Sequence, residues 1–278
     1  MLEFFRLTIL CENRVVNRKL IAEQGLSIFV ETPQGNLLFD TGQTDAFIHN
    51  AENLGIDLSS IKFVVLSHGH YDHTGGLPAL LKKRGETEIV CHPALVHKKY
   101  RIYPAGRLEI GVPWEKNTLV KEGAHFHFYT HPHQILPDVW ISGEIPRLTP
   151  YEVIDEAYQQ KVLESYIHDE IHDEQFLALN TTRGVVVILG CGHAGPINSL
   201  KHAMRITQND HVYAVVGGMH LNGVSEERIN LIVENLEIIN PDFIVPLHCT
   251  GFAAIHRMFT VFKDRVKLLN VGDVFEME

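Results

Sequence analysis

Apolar residues fall into short runs, separated by stretches in which they recur at helical spacing. In the first third of the chain, four runs predict strands: Leu7–Leu10, Leu26–Glu31, Asn36–Phe39 and Lys62–Ser67. The last run is continuously apolar, which is typical of a strand buried on both faces. Helical spacing of apolar positions predicts helices over 45–54 and 77–83.

The second half of the chain is more regular. Two runs, Phe176–Asn180 and Gly184–Leu189, predict a hairpin that turns at Thr182 and Arg183. Helices and strands then alternate over Pro196–Ile206, Val212–Val216, Ser225–Ile239, Phe243–Leu247, Ala253–Asp264 and Val266–Val271. This alternation predicts an α/β fold, in which helices cover the outer faces of buried sheets.

The pattern loosens between the two halves. Seven prolines interrupt it from Pro93 to Pro150, so residues 94–150 are predicted to be an irregular insertion over the sheet. The polar, acidic stretch 151–174 is predicted to be a solvated helix or loop, with a lid or a subunit contact as alternatives. Because the chain has no repeat of fixed period and no low-complexity linker, residues 1–278 are expected to form a single domain.

Composition narrows the classes of partner. The 278 residues are 45% hydrophobic and 21% charged, which is enough for a sizeable core. A net charge of −10 argues against nucleic acid or an anionic membrane as a partner. Four cysteines without CxxC spacing argue against a disulfide framework. Without a signal-like start or a long apolar run, the chain is expected to be soluble and cytoplasmic; its oligomeric state is left open.

Histidine placement is the strongest chemical signal, because 18 of the residues are histidine. His68, His70, Asp72 and His73 follow directly after a predicted buried strand. On a loop, His68 and His70 can share one cation while Asp72 and His73 turn to a second. Two cations ~3.5–4 Å apart suit hydrolysis, because water between them becomes reactive at neutral pH. Zinc is favoured, and manganese or iron are also compatible.

Further candidates stand at the ends of other strands. His193, His220 and His248 each follow an apolar run, and the carboxyl ends of strands in α/β sheets gather ligands. These three histidines are therefore predicted to complete the metal site. Asp40 also closes a buried strand and is predicted to hydrogen-bond a ligand histidine, with a turn or helix-cap role as the alternative.

Other residues are candidates for catalysis or substrate binding. Asp72 is predicted to relay a proton in addition to ligating metal. Arg147 is a candidate for binding a substrate phosphate, or alternatively for pairing with the acidic stretch that follows it. Thr250 precedes a helix, where it can cap the helix or lie beside a bound phosphate. Cys191 and Cys249 flank candidate ligands and are interpreted as buried free thiols.

Together these features resemble the metallo-β-lactamase fold superfamily. The resemblance rests on Phe39-Asp40-Thr41-Gly42, on the 68–73 run followed by Thr-Gly-Gly-Leu, and on the histidines at strand ends. It covers nearly the whole chain. It implies a four-layer αββα sandwich with a two-metal site at one edge of two facing sheets.

A narrower resemblance involves the segments Gly143–Arg147, Asp173–Gln175, Gly190–Gly195, Gly217–Leu221 and Pro246–Gly251. They resemble the branch named for 7,8-dihydropterin-6-ylmethyl-4-(β-D-ribofuranosyl)aminobenzene 5′-phosphate synthase. That name implies a transferase, in which a dihydropterin diphosphate loses pyrophosphate as a ribosylated aminobenzene attacks. We expect hydrolysis of a phosphate-containing small molecule by a metal-activated water, with this transfer as the alternative.

The chain departs from the superfamily at one position. Members generally supply an aspartate that bridges the two metals from a strand end, but neither 190–195 nor 217–221 contains one. If His193 or His220 stands there, the bridge is neutral and holds one metal less firmly. His131 and His133 are candidate substitutes from the insertion.

Two other functional classes are less well supported by the residues. A redox di-iron protein of this fold usually has a further carboxylate ligand at the position of His70 and is joined to a flavin domain. A non-catalytic sensor is expected to have lost ligands from the 68–73 loop, which is complete here.

Overall fold

The computed structural model describes residues 1–277. Its strands are β1 (Phe5–Cys11), β2 (Ser27–Glu31), β3 (Asn36–Phe39), β4 (Ile61–Val65), β5 (Thr87–Cys91), β6 (Lys99–Tyr103), β7 (Gly106–Glu109), β8 (Ala124–Phe128), β9 (His133–Leu136), β10 (Val139–Ile141), β11 (Tyr158–Val162), β12 (Ser165–His168), β13 (Leu177–Thr181), β14 (Gly184–Leu189), β15 (Val212–Gly217), β16 (Phe243–Pro246) and β17 (Val274–Met277). Its α-helices are α1 (Ala46–Leu54), α2 (Tyr71–Thr74), α3 (Leu77–Arg84), α4 (Lys116–Lys121), α5 (Pro196–Thr207), α6 (Glu226–Ile239) and α7 (Phe252–Phe262).

Two large sheets pack face to face. One has seven strands in the order β17-β1-β2-β3-β4-β5-β8, and the other has six in the order β16-β15-β14-β13-β10-β9. Their inner faces share one apolar core, which includes Phe5, Phe39 and Val186. A second core lies between the seven-stranded sheet and helices α1 and α3, and a third between the six-stranded sheet and helices α5, α6 and α7. The predicted αββα sandwich is confirmed.

Parallel pairing places the carboxyl ends of several strands at one edge of the sandwich. In the seven-stranded sheet β3, β4, β5 and β8 are parallel, and in the six-stranded sheet β14, β15 and β16 are parallel. Asp40 follows β3 and His68 follows β4, whereas His193, His220 and His248 follow β14, β15 and β16. The candidate residues therefore meet at this edge.

The end of the chain differs from the prediction. Val266–Val271 is not a strand; Val266 makes only an isolated bridge to Ile244. The closing strand is β17, which pairs antiparallel with β1. A turn interrupts the apolar run, because the backbone N–H of Asn270 donates to the Asp273 carboxylate at 2.8 Å. Strand β5 was also absent from the prediction.

The middle of the chain is more regular than predicted. Within 94–150, β8 extends the seven-stranded sheet, and β9 and β10 extend the six-stranded sheet. Strands β6 and β7 pair with β11 and β12 in a four-stranded sheet, which we call the accessory sheet. The acidic stretch is thus half of a sheet rather than a solvated helix or loop. The seven prolines lie outside the strands, where they separate short strands instead of abolishing them.

No helix within residues 1–277 is long and apolar enough to cross a membrane. That residues 1–278 form one domain stays a prediction.

Candidate metal centre

The edge of the sandwich brings six predicted donors into two groups. Donor group A consists of His68, His70 and His193, and donor group B of Asp72, His73 and His248. Within each group, one ligand atom from each residue lies within 4.8 Å of the other two. The groups adjoin each other, because the ring centroids of His68 in group A and His73 in group B are 4.4 Å apart. Within group B, His73 Nε2 lies 3.3 Å from His248 Nε2.

Asp40 contacts one histidine of group B directly and one histidine of group A through a serine. Its Oδ2 lies 2.7 Å from His73 Nδ1 and accepts a 2.7 Å hydrogen bond from the Ser67 hydroxyl. The Ser67 oxygen in turn lies 2.9 Å from His68 Nδ1. Held in this way through Nδ1, both rings present Nε2 to the cluster. A Cβ atom at Gly190 would come within 2.1 Å of the Ser67 hydroxyl, so only glycine leaves room for this chain of hydrogen bonds.

Two residues from the start of the chain hold His248. Its Nδ1 lies 2.9 Å from Asn13 Oδ1, and its backbone N–H donates to Glu12 at 2.9 Å. His248 Nε2 therefore faces Asp72, whose Oδ2 is 3.5 Å away. Because Glu12 and Asn13 are more than 230 residues away in sequence, no local pattern pointed to them.

Unpaired nitrogen atoms test whether these residues fit a metal. His70 Nε2, both ring nitrogens of His193 and His220 Nδ1 are buried without a hydrogen-bond partner. Buried polar atoms nearly always have a partner, so unpaired nitrogens on three neighbouring rings, with centroids 5.0 Å apart for His70 and His193 and 4.2 Å apart for His193 and His220, need another explanation. A divalent cation provides it, and imidazoles with a carboxylate suit zinc, manganese or iron. The residues present fit such cations.

The charge states of most donors agree with this fit. Burial lowers the pKa values of His68 and His193 well below the ordinary value, and lowers that of His70 to about 3. These rings are neutral at neutral pH, as ligands must be. Burial opposes ionisation of Asp72, but His73 and His248 hold its pKa below the usual range. An ionised Asp72 is a good ligand and a weak proton acceptor. At His248, the neighbouring Cys249 and Asp72 outweigh burial and raise the pKa to about 9, so a cation bound there replaces a proton.

Strand-end residues at the centre adopt strained backbone conformations. Asp40, His220 and His248 have φ values of 58°, 48° and 51°, in the left-handed region that non-glycine residues rarely enter. Such strain costs about 1–3 kcal/mol per residue and concentrates at functional sites.

The accessory sheet covers one side of the centre through Tyr158. The ring of Tyr158 stacks on His70 with centroids 5.7 Å apart, and its hydroxyl lies 3.1 Å from His220 Nε2. Arg101 donates a 3.0 Å hydrogen bond to the same hydroxyl and lies over the Tyr158 ring. Sequence reasoning missed both residues, because they lie in stretches predicted to lack regular structure.

Cys191 lies among the donors as well. Three further donor groups contain it: one with His68 and His73, one with His193 and His220, and one with His248 and Cys249. Its Sγ is 3.1 Å from His73 Nε2. Both cysteines are free thiols as interpreted from the sequence, but they are also candidate ligands.

A cavity of about 340 Å³ opens above the donors. Its walls include Tyr71, Tyr103 and Asn222, and Arg101 is the one arginine or lysine that lines it within the described chain. A larger groove of about 810 Å³ runs beside Trp114 and includes no residue of donor groups A and B.

Four candidates from the sequence do not line this cavity. Arg147 donates to the backbone carbonyls of Glu170 and Ile171. The Thr250 hydroxyl donates to the Leu247 carbonyl at 2.8 Å, which is a local turn contact. His131 and His133 lie beside and within β9, outside all the donor groups. Substrate binding by Arg147 or Thr250 and metal ligation by His131 or His133 gain no support from these positions.

Comparisons with known proteins agree with the fold. The family model for the metallo-beta-lactamase superfamily matches residues 20–194. An uncharacterized protein of Methanocaldococcus jannaschii is 32% identical over 247 residues, which cover 87% of this chain and 89% of that protein. A protein of the same organism named 7,8-dihydropterin-6-methyl-4-(beta-D-ribofuranosyl)-aminobenzene-5'-phosphate synthase is 29% identical over 276 residues, covering 94% and 92% of the two chains. The structure of Tm1679, described as a metal-dependent hydrolase of the beta-lactamase superfamily, matches with a TM-score of 0.85 and 29% identity over 98% of both chains.

Proposed function

This chain belongs to the metallo-β-lactamase superfamily, and on that basis we propose that it is a metal-dependent hydrolase of a phosphate-containing small molecule. The observation that carries the proposal is the placement of donor groups A and B at one edge, directly beneath a cavity with a cationic wall. A metal centre open to a cavity is the arrangement that hydrolysis of a small molecule requires.

We propose that groups A and B each hold one divalent cation, with zinc favoured. When bound, the cations supply Lewis acidity to a phosphoryl oxygen and lower the pKa of water from 15.7 toward ~7. His220 is a candidate to complete the set, because it forms a donor group with Cys191 and His193 and its Nδ1 is unpaired, while its Nε2 contacts Tyr158.

Arg101 is the residue we propose to bind the substrate phosphate. Its guanidinium lines the cavity and is aligned by the Tyr158 ring and hydroxyl. A planar guanidinium can form two parallel hydrogen bonds to phosphate oxygens. In the hydrolysis, the bond from phosphorus to the leaving oxygen breaks, the water oxygen bonds to phosphorus, and the leaving oxygen takes up a proton. Proton relay by Asp72 stays a prediction, since its lowered pKa favours ligation.

The first experiment measures hydrolysis of bis-p-nitrophenyl phosphate and p-nitrophenyl phosphate by zinc- and manganese-loaded protein. We expect turnover that EDTA abolishes. Arg101→Ala should raise KM by about 10- to 100-fold, since hydrogen bonds to charged groups are worth about 1.5–3 kcal/mol. Arg147→Ala, which lies outside the cavity, is the matched control and should leave KM unchanged. Metal-loaded protein without turnover on either substrate contradicts the proposed hydrolysis.

The transferase is the second candidate, favoured by the relative named as a synthase that is 29% identical over 94% of this chain. In that reaction the bond between the pterin methylene carbon and the diphosphate oxygen breaks, and pyrophosphate leaves. The amino nitrogen or a ring carbon of the aminobenzene acceptor bonds to the methylene and loses a proton. Incubation with a dihydropterin diphosphate, with and without an aminobenzoate-like acceptor, separates the two functions. A joined product indicates transfer, whereas acceptor-independent release of phosphate or pyrophosphate indicates hydrolysis.

A further inference from the structure

The six donors of groups A and B carry little charge for the cations that they are proposed to hold. Only Asp72 is an anion, and the other five donors are imidazoles. Two divalent cations would therefore bring four positive charges to six ligands that supply one negative charge, with the Asp40 carboxylate behind His73 as a second anion. Buried charge without a counter-charge is strongly unfavourable, so a further anionic ligand from the protein would stabilise the pair of cations.

His220 does not provide this anion. It is neutral as a ligand, and its Nε2 already contacts the Tyr158 hydroxyl at 3.1 Å. Only Nδ1 remains unpaired, and one imidazole nitrogen has one lone pair, which serves one cation. His220 can add a ligand to one cation, but it cannot join two.

Cys191 occupies the position between the two groups. Its Sγ lies within 4.8 Å of ligand atoms from His68 and His193 on one side, and from His73 and His248 on the other. The contact with His73 Nε2 is 3.1 Å. The side chain is buried, and the unpaired nitrogens of His193 and His70 lie in the same cluster. A sulfur atom here reaches both proposed cations.

The backbone holds this position firmly. Cys191 stands between Gly190, which packs against Ser67, and Gly192, whose φ is 72°. The Gly190 carbonyl accepts from the Gly218 N–H at 3.0 Å, and the Cys191 carbonyl accepts from Cys249 Sγ at 3.3 Å. Cys249 shares a donor group with His248 but with none of the group A histidines, so it reaches only one side.

We propose that the thiolate of Cys191 bridges the two cations, in place of the aspartate that members of the superfamily generally supply. A thiolate sulfur has enough lone pairs to bind two cations, and it supplies a further negative charge; its proton is released to solvent when metal binds. This inference rests on the proposed function, because it assumes that groups A and B hold metal.

Cobalt(II) spectroscopy on the full chain tests the proposal independently of activity. Metal-free protein is titrated with cobalt, and the thiolate-to-cobalt charge-transfer band in the near ultraviolet is followed. We expect the band to grow until two equivalents are bound, and the electron paramagnetic resonance intensity of the two-cobalt form to fall below twice that of one cobalt. Cys191→Ser should lose the band, whereas Cys249→Ser and Cys91→Ser, a buried thiol outside the centre, should keep it.

A second variant guards against misfolding of Cys191→Ser. Cys191→Asp should bind two cobalt ions without the sulfur band, since a carboxylate can also bridge. Two bound cobalt ions without the band in the native protein, saturation of the band at one equivalent, or loss of the band in Cys249→Ser alone each overturn the thiolate bridge and leave the proposed function standing. Absence of cobalt binding to the native protein overturns the proposed function itself.

Discussion

Two regions of the molecule line the cavity, and they are built differently. One is the edge of the two large sheets, and the other is the accessory sheet. At the edge, the proposed ligands follow buried strands or lie in the loop and short helix α2 after β4. Asp40 and Asn13 accept hydrogen bonds from the rings of His73 and His248, and Glu12 accepts the backbone N–H of His248. The accessory sheet has little core of its own: all residues of β7 and most of β12 are exposed. It contributes Arg101 and Tyr158 to the cavity.

One buried ion cluster connects the two regions. Lys99 of β6 is 2% exposed, and its Nζ donates to Asp173 at 2.7 Å and to Asp169 at 3.1 Å. Asp173 also accepts the backbone N–H of Gly69, in the histidine loop, at 2.7 Å. The difference teaches that the proposed chemistry lies at buried strand ends, while the proposed substrate contacts lie on a peripheral sheet held by a few polar interactions and a small apolar cluster around Ile110, Tyr158 and Ile171. Mutations should therefore affect the two regions separately.

The largest effect is expected when group A is removed. His68→Ala with His193→Ala should release at least one cation per chain and weaken metal binding by more than ~100-fold, because even partners that only orient ligands are worth 10- to 100-fold. Metal content after dialysis, measured by mass spectrometry, checks this. The pair His133→Ala with His256→Ala, both exposed, is the control. Equal metal content in the two double variants would contradict the assignment of the metal centre.

Breaking the link between the regions should cost about 3–5 kcal/mol of unfolding free energy. Lys99→Met leaves Asp169 and Asp173 buried without their cation, which is the costly way to disrupt a buried ion pair. Lys98→Met, next to it, removes only an exposed ion pair with Glu109 and should cost no more than ~1 kcal/mol. Urea unfolding measures both values. Similar losses from the two variants would show that the buried cluster does not hold the accessory sheet.

Acid should destabilise the metal-free protein by an amount of the order of a few kcal/mol. The folded-state pKa of His70 is about 3, below the ~6.5 of an unfolded chain, so between these pH values the unfolded state binds more protons. This contribution to stability is complete above about pH 6.5 and is lost progressively as the pH falls toward 3. Urea unfolding of EDTA-treated protein at several pH values measures it. His70→Gln should flatten the dependence; an unchanged slope would contradict the assigned charge state.

The smallest of these effects is expected for Asp40→Asn, at about 10- to 100-fold in metal affinity. Asparagine keeps the shape and tolerates the positive φ, but it replaces the charged acceptor that serves His73 directly and His68 through Ser67. Competition with a chromophoric chelator measures the affinity. Asp45→Asn, at an exposed position before α1, is the matched control. Unchanged affinity in Asp40→Asn would mean that the rings are held by packing alone.

Local sequence patterns predicted the α/β fold and most of the proposed ligands, and the resemblance of the motifs to a known superfamily implied the sandwich. Buried strands such as β4 and β14 appear as continuous apolar runs, and the histidines stand directly after such runs, so position along the chain predicts position at the sheet edge. The exposed strands of the accessory sheet have no such run, because solvent accepts any side chain on them. Their pattern therefore resembled that of a loop.

Only the tertiary structure decided which distant residues meet. Asn13 and His248, Lys99 and Asp173, and Arg101 in the cavity in place of Arg147 are contacts between segments far apart in the chain. Such contacts depend on how the sheets pair and pack, which no local pattern of polarity records. The same packing placed the sulfur of Cys191 between the two donor groups, where the sequence alone had suggested no more than a buried thiol.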